Sequence, residues 1–144
     1  LELAEDGFVM ACTDAGRAKW VESLANEMGV NAAFVFKRRI SGDKTEVTSI
    51  SADVEGKDVV IYDDMVRTGG SLISAAKAYK SAGAKKIFTI TTHGLFTNEA
   101  LKKIQDSGVI EKVVSTNSHP NSFASKSDFL QIESVASLIL EQLI

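Results

Sequence analysis

The sequence predicts an α/β fold: an open, mainly parallel sheet with helices on both faces. Three observations predict it. Short apolar runs of strand length alternate with amphipathic, helix-length segments along the chain. The apolar runs are followed by turn residues or by charged residues. The residues with chemical potential, Asp14, Lys37, Asp63, Asp64 and His93, fall at the carboxyl ends of those runs, where open α/β sheets bind ligands.

In chain order, Phe8–Cys12 (FVMAC) is a buried strand, and Thr13-Asp14-Ala15-Gly16 is the turn after it. Ala18–Met28 is a helix with Val21, Leu24, Ala25 and Met28 on one face, ended by Gly29. Ala32–Phe36 is a second strand, closed by Lys37, Arg38 and Arg39. An exposed loop at Ser41–Lys44 and a strand-like stretch at Val47–Ile50 follow. Asp58–Tyr62 is a third buried strand terminated by two aspartates, and a glycine-containing loop leads into a helix over Ser71–Ser81. Lys86–Thr91 is the fourth strand, Asn98–Gln105 a helix and Val113–Ser115 a fifth strand. Asn117–Ser127 is expected to be irregular, Phe129–Ile132 a last strand and Ser134–Leu143 a closing helix whose Ile139, Leu140 and Leu143 pack into the core.

At 144 residues, 44% of them hydrophobic and 24% charged, residues 1–144 suit a single globular domain. A net charge of −3 gives no bulk electrostatic reason to expect nucleic acid or membrane as partner. One cysteine, Cys12, excludes an internal disulfide and a thiolate metal cluster, and fits a reducing, cytoplasmic setting. No apolar run approaches the roughly 18 residues of a membrane span. The chain opens at Leu1 and enters a strand pattern almost at once, as expected of a trimmed or partial chain.

The chemistry concentrates in Val59–Leu72, VVIYDDMVRTGGSL. A buried strand delivers Asp63 and Asp64 to the sheet edge, and strand alternation lets them address two different groups of one ligand. Thr68, Gly69, Gly70 and Ser71 then open a helix. Glycines allow the backbone to turn tightly and approach a ligand, and free N–H groups at a helix start make a phosphate site. An acid pair beside a phosphate cradle describes a sugar-phosphate pocket. No Gly-Lys-Ser/Thr closes the loop, so it is not a nucleotide P-loop.

This loop resembles the phosphoribosyl pyrophosphate loop of type I phosphoribosyltransferases and of ribose-phosphate pyrophosphokinases (phosphoribosyl pyrophosphate synthetases). Flanking segments resemble the pyrophosphokinase family in particular: Thr13–Ala18, Phe36-Lys37-Arg38-Arg39, Thr92-His93-Gly94-Leu95-Phe96 and Thr116-Asn117-Ser118. The match runs in order through nearly the whole chain, which would be the second of two similar domains. The resemblance implies that Asp63, Asp64, Thr68, Gly69, Gly70 and Ser71 bind ribose 5-phosphate and that Asp14 helps hold Mg2+. It also implies that Lys37 and Arg39 stabilise charge on the phosphates of ATP, in a homo-oligomer. The implied reaction transfers a diphosphoryl group from ATP to the anomeric hydroxyl of ribose 5-phosphate and releases AMP. Three departures stand out: Arg67 where the family often has an acidic or small polar residue, Gly16-Arg17 in place of Gly-Gly, and Ser71 in place of threonine. The competing readings are a phosphoribosyltransferase, which shares the loop, and a non-catalytic regulatory relative.

Overall fold

The structure, a computed structural model, describes residue 3 and residues 7–41, 44–124 and 127–144. Strand β1 (Phe8–Cys12) is followed by a 3-10 turn (Ala15–Arg17), helix α1 (Ala18–Met28) and strand β2 (Asn31–Ala33). Strands β3 (Val35–Ser41) and β4 (Lys44–Ile50) precede β5 (Asp58–Val66), α2 (Gly70–Ser81), β6 (Ile87–Gly94) and α3 (Ala100–Asp106). The chain continues through β7 (Lys112–Thr116), α4 (Pro120–Ala124), β8 (Leu130–Glu133) and α5 (Ala136–Leu143).

Six strands form one parallel sheet in the order β2-β1-β5-β6-β7-β8. From β1 the chain crosses outward to β2, whereas from β5 it steps the other way through β6, β7 and β8. The switch in direction falls between β1 and β5, the place where such sheets open a crevice.

Strand alternation sorts the core onto two faces. Val9, Ala11, Val59, Ile61, Ile87 and Val113 pack with Leu72, Ala75, Ala76 and Tyr79 of α2 and with Ala100 and Ile104 of α3. Met10, Cys12, Val60, Tyr62 and Phe88 face the other way, under Val21 and Ala25 of α1. Tyr79, fully buried, donates its hydroxyl to the carbonyls of Cys12 (3.0 Å) and Ala33 (3.2 Å), tying α2 to the ends of β1 and β2. Burial raises the Tyr79 phenol well above its ordinary pKa, which keeps it a donor.

Several expectations are corrected. The apolar run 32–36 is not one strand: it breaks at Phe34, whose N–H bonds Ser51 Oγ (2.9 Å) and whose carbonyl accepts from the Ser51 N–H (3.0 Å). Beyond the break, β3 and β4 form a separate antiparallel hairpin that carries Lys37 away from the main sheet. Asp63 and Asp64 do not terminate β5 but lie within it, as His93 lies within β6. Helix α3 starts at Ala100 rather than 98, because Phe96, Asn98 and Glu99 hold left-handed backbone that a helix cannot accept. Pro120–Ala124 is helical, with proline in the first turn, where its missing N–H costs nothing. The α5 stripe is not core: Leu138, Ile139, Leu140 and Leu143 are all more than half exposed. Met28 is exposed too. Trp20 is also exposed, its ring tilted over Tyr62 with centroids 5.2 Å apart.

The Tyr79 hydroxyl bonds yield a prediction. Tyr79→Phe should cost roughly 1–3 kcal/mol, because two buried carbonyls lose a donor. Urea unfolding measures it, and an unchanged midpoint would refute the assignment.

Candidate functional site

At the switch between β1 and β5 lies a cavity of about 320 Å³. Thr13, Asp14 and Arg17 line it from the end of β1, and the continuous run Asp63–Leu72 lines it from β5. Seven of the nine residues singled out from sequence therefore share one cavity: Asp14, Asp63, Asp64, Thr68, Gly69, Gly70 and Ser71.

The acid pair takes different partners, as alternation predicts. Asp63 Oδ2 accepts from the Thr13 hydroxyl at 3.2 Å, and Asp64 Oδ2 pairs with Arg17 Nη2 at 2.6 Å. Burial, and after it the neighbouring Asp64, raises the proton affinity of Asp63; the Thr13 hydroxyl works against both. Asp14 caps the 3-10 turn, accepting the Gly16 N–H at 2.8 Å.

The loop after the acids is held open by its backbone. Gly69 precedes α2 with φ +79°, a conformation other residues rarely take. A Cβ there would also lie 2.8 Å from Ile104 Cγ1 of α3. No side chain caps α2, so its first N–H groups are left for a ligand. The Thr68 and Ser71 hydroxyls have no partner among the described residues and add two donors.

An oxygen donor set fits a hard divalent cation such as Mg2+. The hydrogen bonds above use one oxygen each of Asp14, Asp63 and Asp64. Among the described residues no cluster of three metal-ligating side chains is preformed.

Lys37 is not among the lining residues. It lies in β3 opposite Val47, although β3 passes beside the Ala15–Arg17 turn at the cavity rim. Arg39 sits opposite Thr45 in the same hairpin, and its side chain lies outside the described residues. Exposed His93 bonds Ser118 through Nδ1 (2.7 Å), and Ser118 in turn donates to the Thr92 carbonyl (2.9 Å), a brace between β6 and the end of β7. Sequence reasoning noted Arg17 only as a departure and gave it no place in the site. A cation three residues after an acid is a weak signal, and the pairing of Arg17 with Asp64 is tertiary.

A family model described as the phosphoribosyl synthetase-associated domain matches residues 13–143. The chain belongs to this family. The chain is 36% identical over 133 residues to a ribose-phosphate pyrophosphokinase of Aquifex aeolicus, covering 92% of this chain and 42% of that protein. A ribose-phosphate pyrophosphokinase of Chlorobaculum tepidum is 38% identical over 132 residues, 90% of this chain and 41% of its own. The chain thus spans less than half the length of these curated relatives. Among solved structures, a phosphoribosylpyrophosphate synthetase from Mycobacterium smegmatis superposes with TM-score 0.79 at 28% identity, covering 94% of this chain and 43% of that one. The adenine phosphoribosyltransferase of Giardia lamblia, at TM-score 0.59 and 16% identity over 75% of this chain and 67% of that one, shares the fold.

Two predictions arise from the site. Ionised Asp63 costs the fold because its folded proton affinity is raised. That cost is absent below the ordinary carboxylate range and sets in as pH rises through the raised value. Asp63→Asn should therefore unfold at a higher midpoint than the parent at neutral pH, with the gap closing towards about pH 4. A gap that widens on acidification would contradict it. Gly69→Ala should lose roughly 1–3 kcal/mol through backbone strain alone, seen as a lower melting temperature.

Proposed function

We propose that the chain is the ribose-5-phosphate-binding half of a ribose-phosphate diphosphokinase, the second of two similar domains. The observation that carries this is the single cavity uniting the acid pair of β5 with the uncapped start of α2. In it the N–H groups and hydroxyls of Thr68–Ser71 hold the 5-phosphate, and Asp63 and Asp64 accept from the ribose hydroxyls. Asp14, with the acid pair, is the place for Mg2+, which when bound neutralises phosphate charge.

In the reaction the anomeric hydroxyl of ribose 5-phosphate attacks the β-phosphorus of ATP. The bond to the α-phosphate oxygen breaks, and AMP leaves. Such transfers need positioning and cationic stabilisation more than covalent help. Lys37 and Arg39 are assigned that second role, on a hairpin whose β3 passes beside the turn at the cavity rim. The exposed apolar residues of α5 suit burial against the rest of a larger protein or in a homo-oligomer. A cytoplasmic location is part of the same reading; no helix among the described residues is long and apolar enough to cross a membrane.

A second reading, a non-catalytic sugar-phosphate-binding relative, is favoured by the absence of Lys37 from the cavity lining. Turnover separates the two. In the full-length protein, ATP-dependent AMP release requiring ribose 5-phosphate supports the diphosphokinase, and sugar binding without AMP release supports the relative. Asp64→Asn should weaken sugar binding about tenfold, the worth of a charge-assisted hydrogen bond. Lys37→Ala should depress kcat while leaving sugar affinity intact; equal loss of both would remove Lys37 from its assigned role.

A further inference from the structure

We infer that Thr13 is a positioning residue for the cavity: its hydroxyl sets the orientation of the Asp63 carboxylate, so that the two acids meet a sugar already sorted. The inference rests on the sugar-phosphate reading of the cavity and adds to it a buried residue through which one of the acids works.

The placement follows from the sheet. Cys12 lies opposite Tyr62 at the last paired step of β1 and β5, so the next residues along, Thr13 and Asp63, stand side by side. The Thr13 hydroxyl donates to Asp63 Oδ2 at 3.2 Å. Thr13 is only 2% exposed, so it acts on an occupant of the cavity through that acid. On the other side of Asp63 stands its register partner in β6, Thr91, which is fully buried. The Thr91 hydroxyl has no hydrogen-bond partner among the described residues. Of the two threonines that flank Asp63, Thr13 is the one that holds it.

An aspartate carboxylate needs such a hold. Its terminal torsion is broad, because rotation about an sp³–sp² bond has no sharp minimum. Donation to Oδ2 narrows that rotation and leaves Oδ1 for the cavity that Asp63 lines. It also settles a competition. Arg17 Nη2 is bonded to Asp64 Oδ2 at 2.6 Å, and its charge reaches Asp63 as well. Without the Thr13 hydroxyl, two neighbouring acids draw on one guanidinium. With it, each acid has a donor of its own. A carboxylate held in advance spares the ligand the cost of ordering it.

Calorimetric titration of the full-length protein with ribose 5-phosphate, in magnesium, tests this, with melting curves showing that each variant is folded. Thr13→Val keeps the shape of the side chain and removes its hydroxyl. It should weaken binding roughly three- to tenfold, the range of one hydrogen bond. Thr13→Ser restores the hydroxyl and should recover most of that loss. Thr91→Val removes the flanking hydroxyl that holds nothing and should leave the affinity unchanged. Should Thr13→Val fail to fold, Thr13→Ala takes its place. Parental affinity without the Thr13 hydroxyl, no recovery in Thr13→Ser, or an equal loss in Thr91→Val overturns the role of Thr13 and leaves the sugar-phosphate reading standing. A folded parent that binds no ribose 5-phosphate overturns that reading and this inference with it.

Discussion

Pairing of Phe8–Cys12 with Asp58–Tyr62 joins two stretches of chain that are far apart in sequence, and the cavity exists because of it. Each stretch leads into part of the polar lining. The first ends in the Asp14 turn and Arg17; the second runs on into the acid pair and the loop. The pairing is held from above and below by cores that have little polar character, with Val9, Ala11, Val59 and Ile61 on one side and Met10, Cys12 and Val60 on the other. Hydrophobic burial thus fixes the backbone to which every charged group of the site is attached. The site can then tolerate an unfavourable neighbour pair such as Asp63 and Asp64, whose repulsion the core offsets.

What the sequence disclosed and what it withheld divide along the range of the interactions involved. The segment from Val59 to Leu72 was legible because its parts act locally: apolar run, acids, glycines and helix start follow one another in the order in which they are used. The buried faces of α2 and the position of Gly29 as a left-handed cap were legible for the same reason. The hairpin was not. Ala32 to Phe36 reads as one strand, and only the bonds between Phe34 and Ser51 show where it divides. Arg17 was seen but given no role, since its partner is set by the sheet order rather than by spacing. The exposed face of α5 inverted the expectation drawn from its leucines and isoleucine, because an apolar stripe states that a helix needs a partner without stating where that partner is.

The Arg17 ion pair and the loop are different kinds of device within one cavity. The loop is set by backbone conformation, with Gly69 in the left-handed region and its carbonyl accepting the Ile73 N–H of α2 at 2.9 Å. The Arg17 guanidinium is held by a hydrogen-bonded ion pair with Asp64, in partial contact with water.

The close approach of Gly69 to Ile104 binds the history of the core to that of the site. Ile104 is a fully buried residue of α3, yet its Cγ1 occupies the space that any side chain at 69 would need. Drift at 104 towards a bulkier residue would press on the turn that leads into α2. Drift towards a smaller one would open room at 69 without relieving its backbone angle. The two positions are thereby coupled: a buried residue of α3 that lines no part of the cavity limits what the turn before α2 can carry.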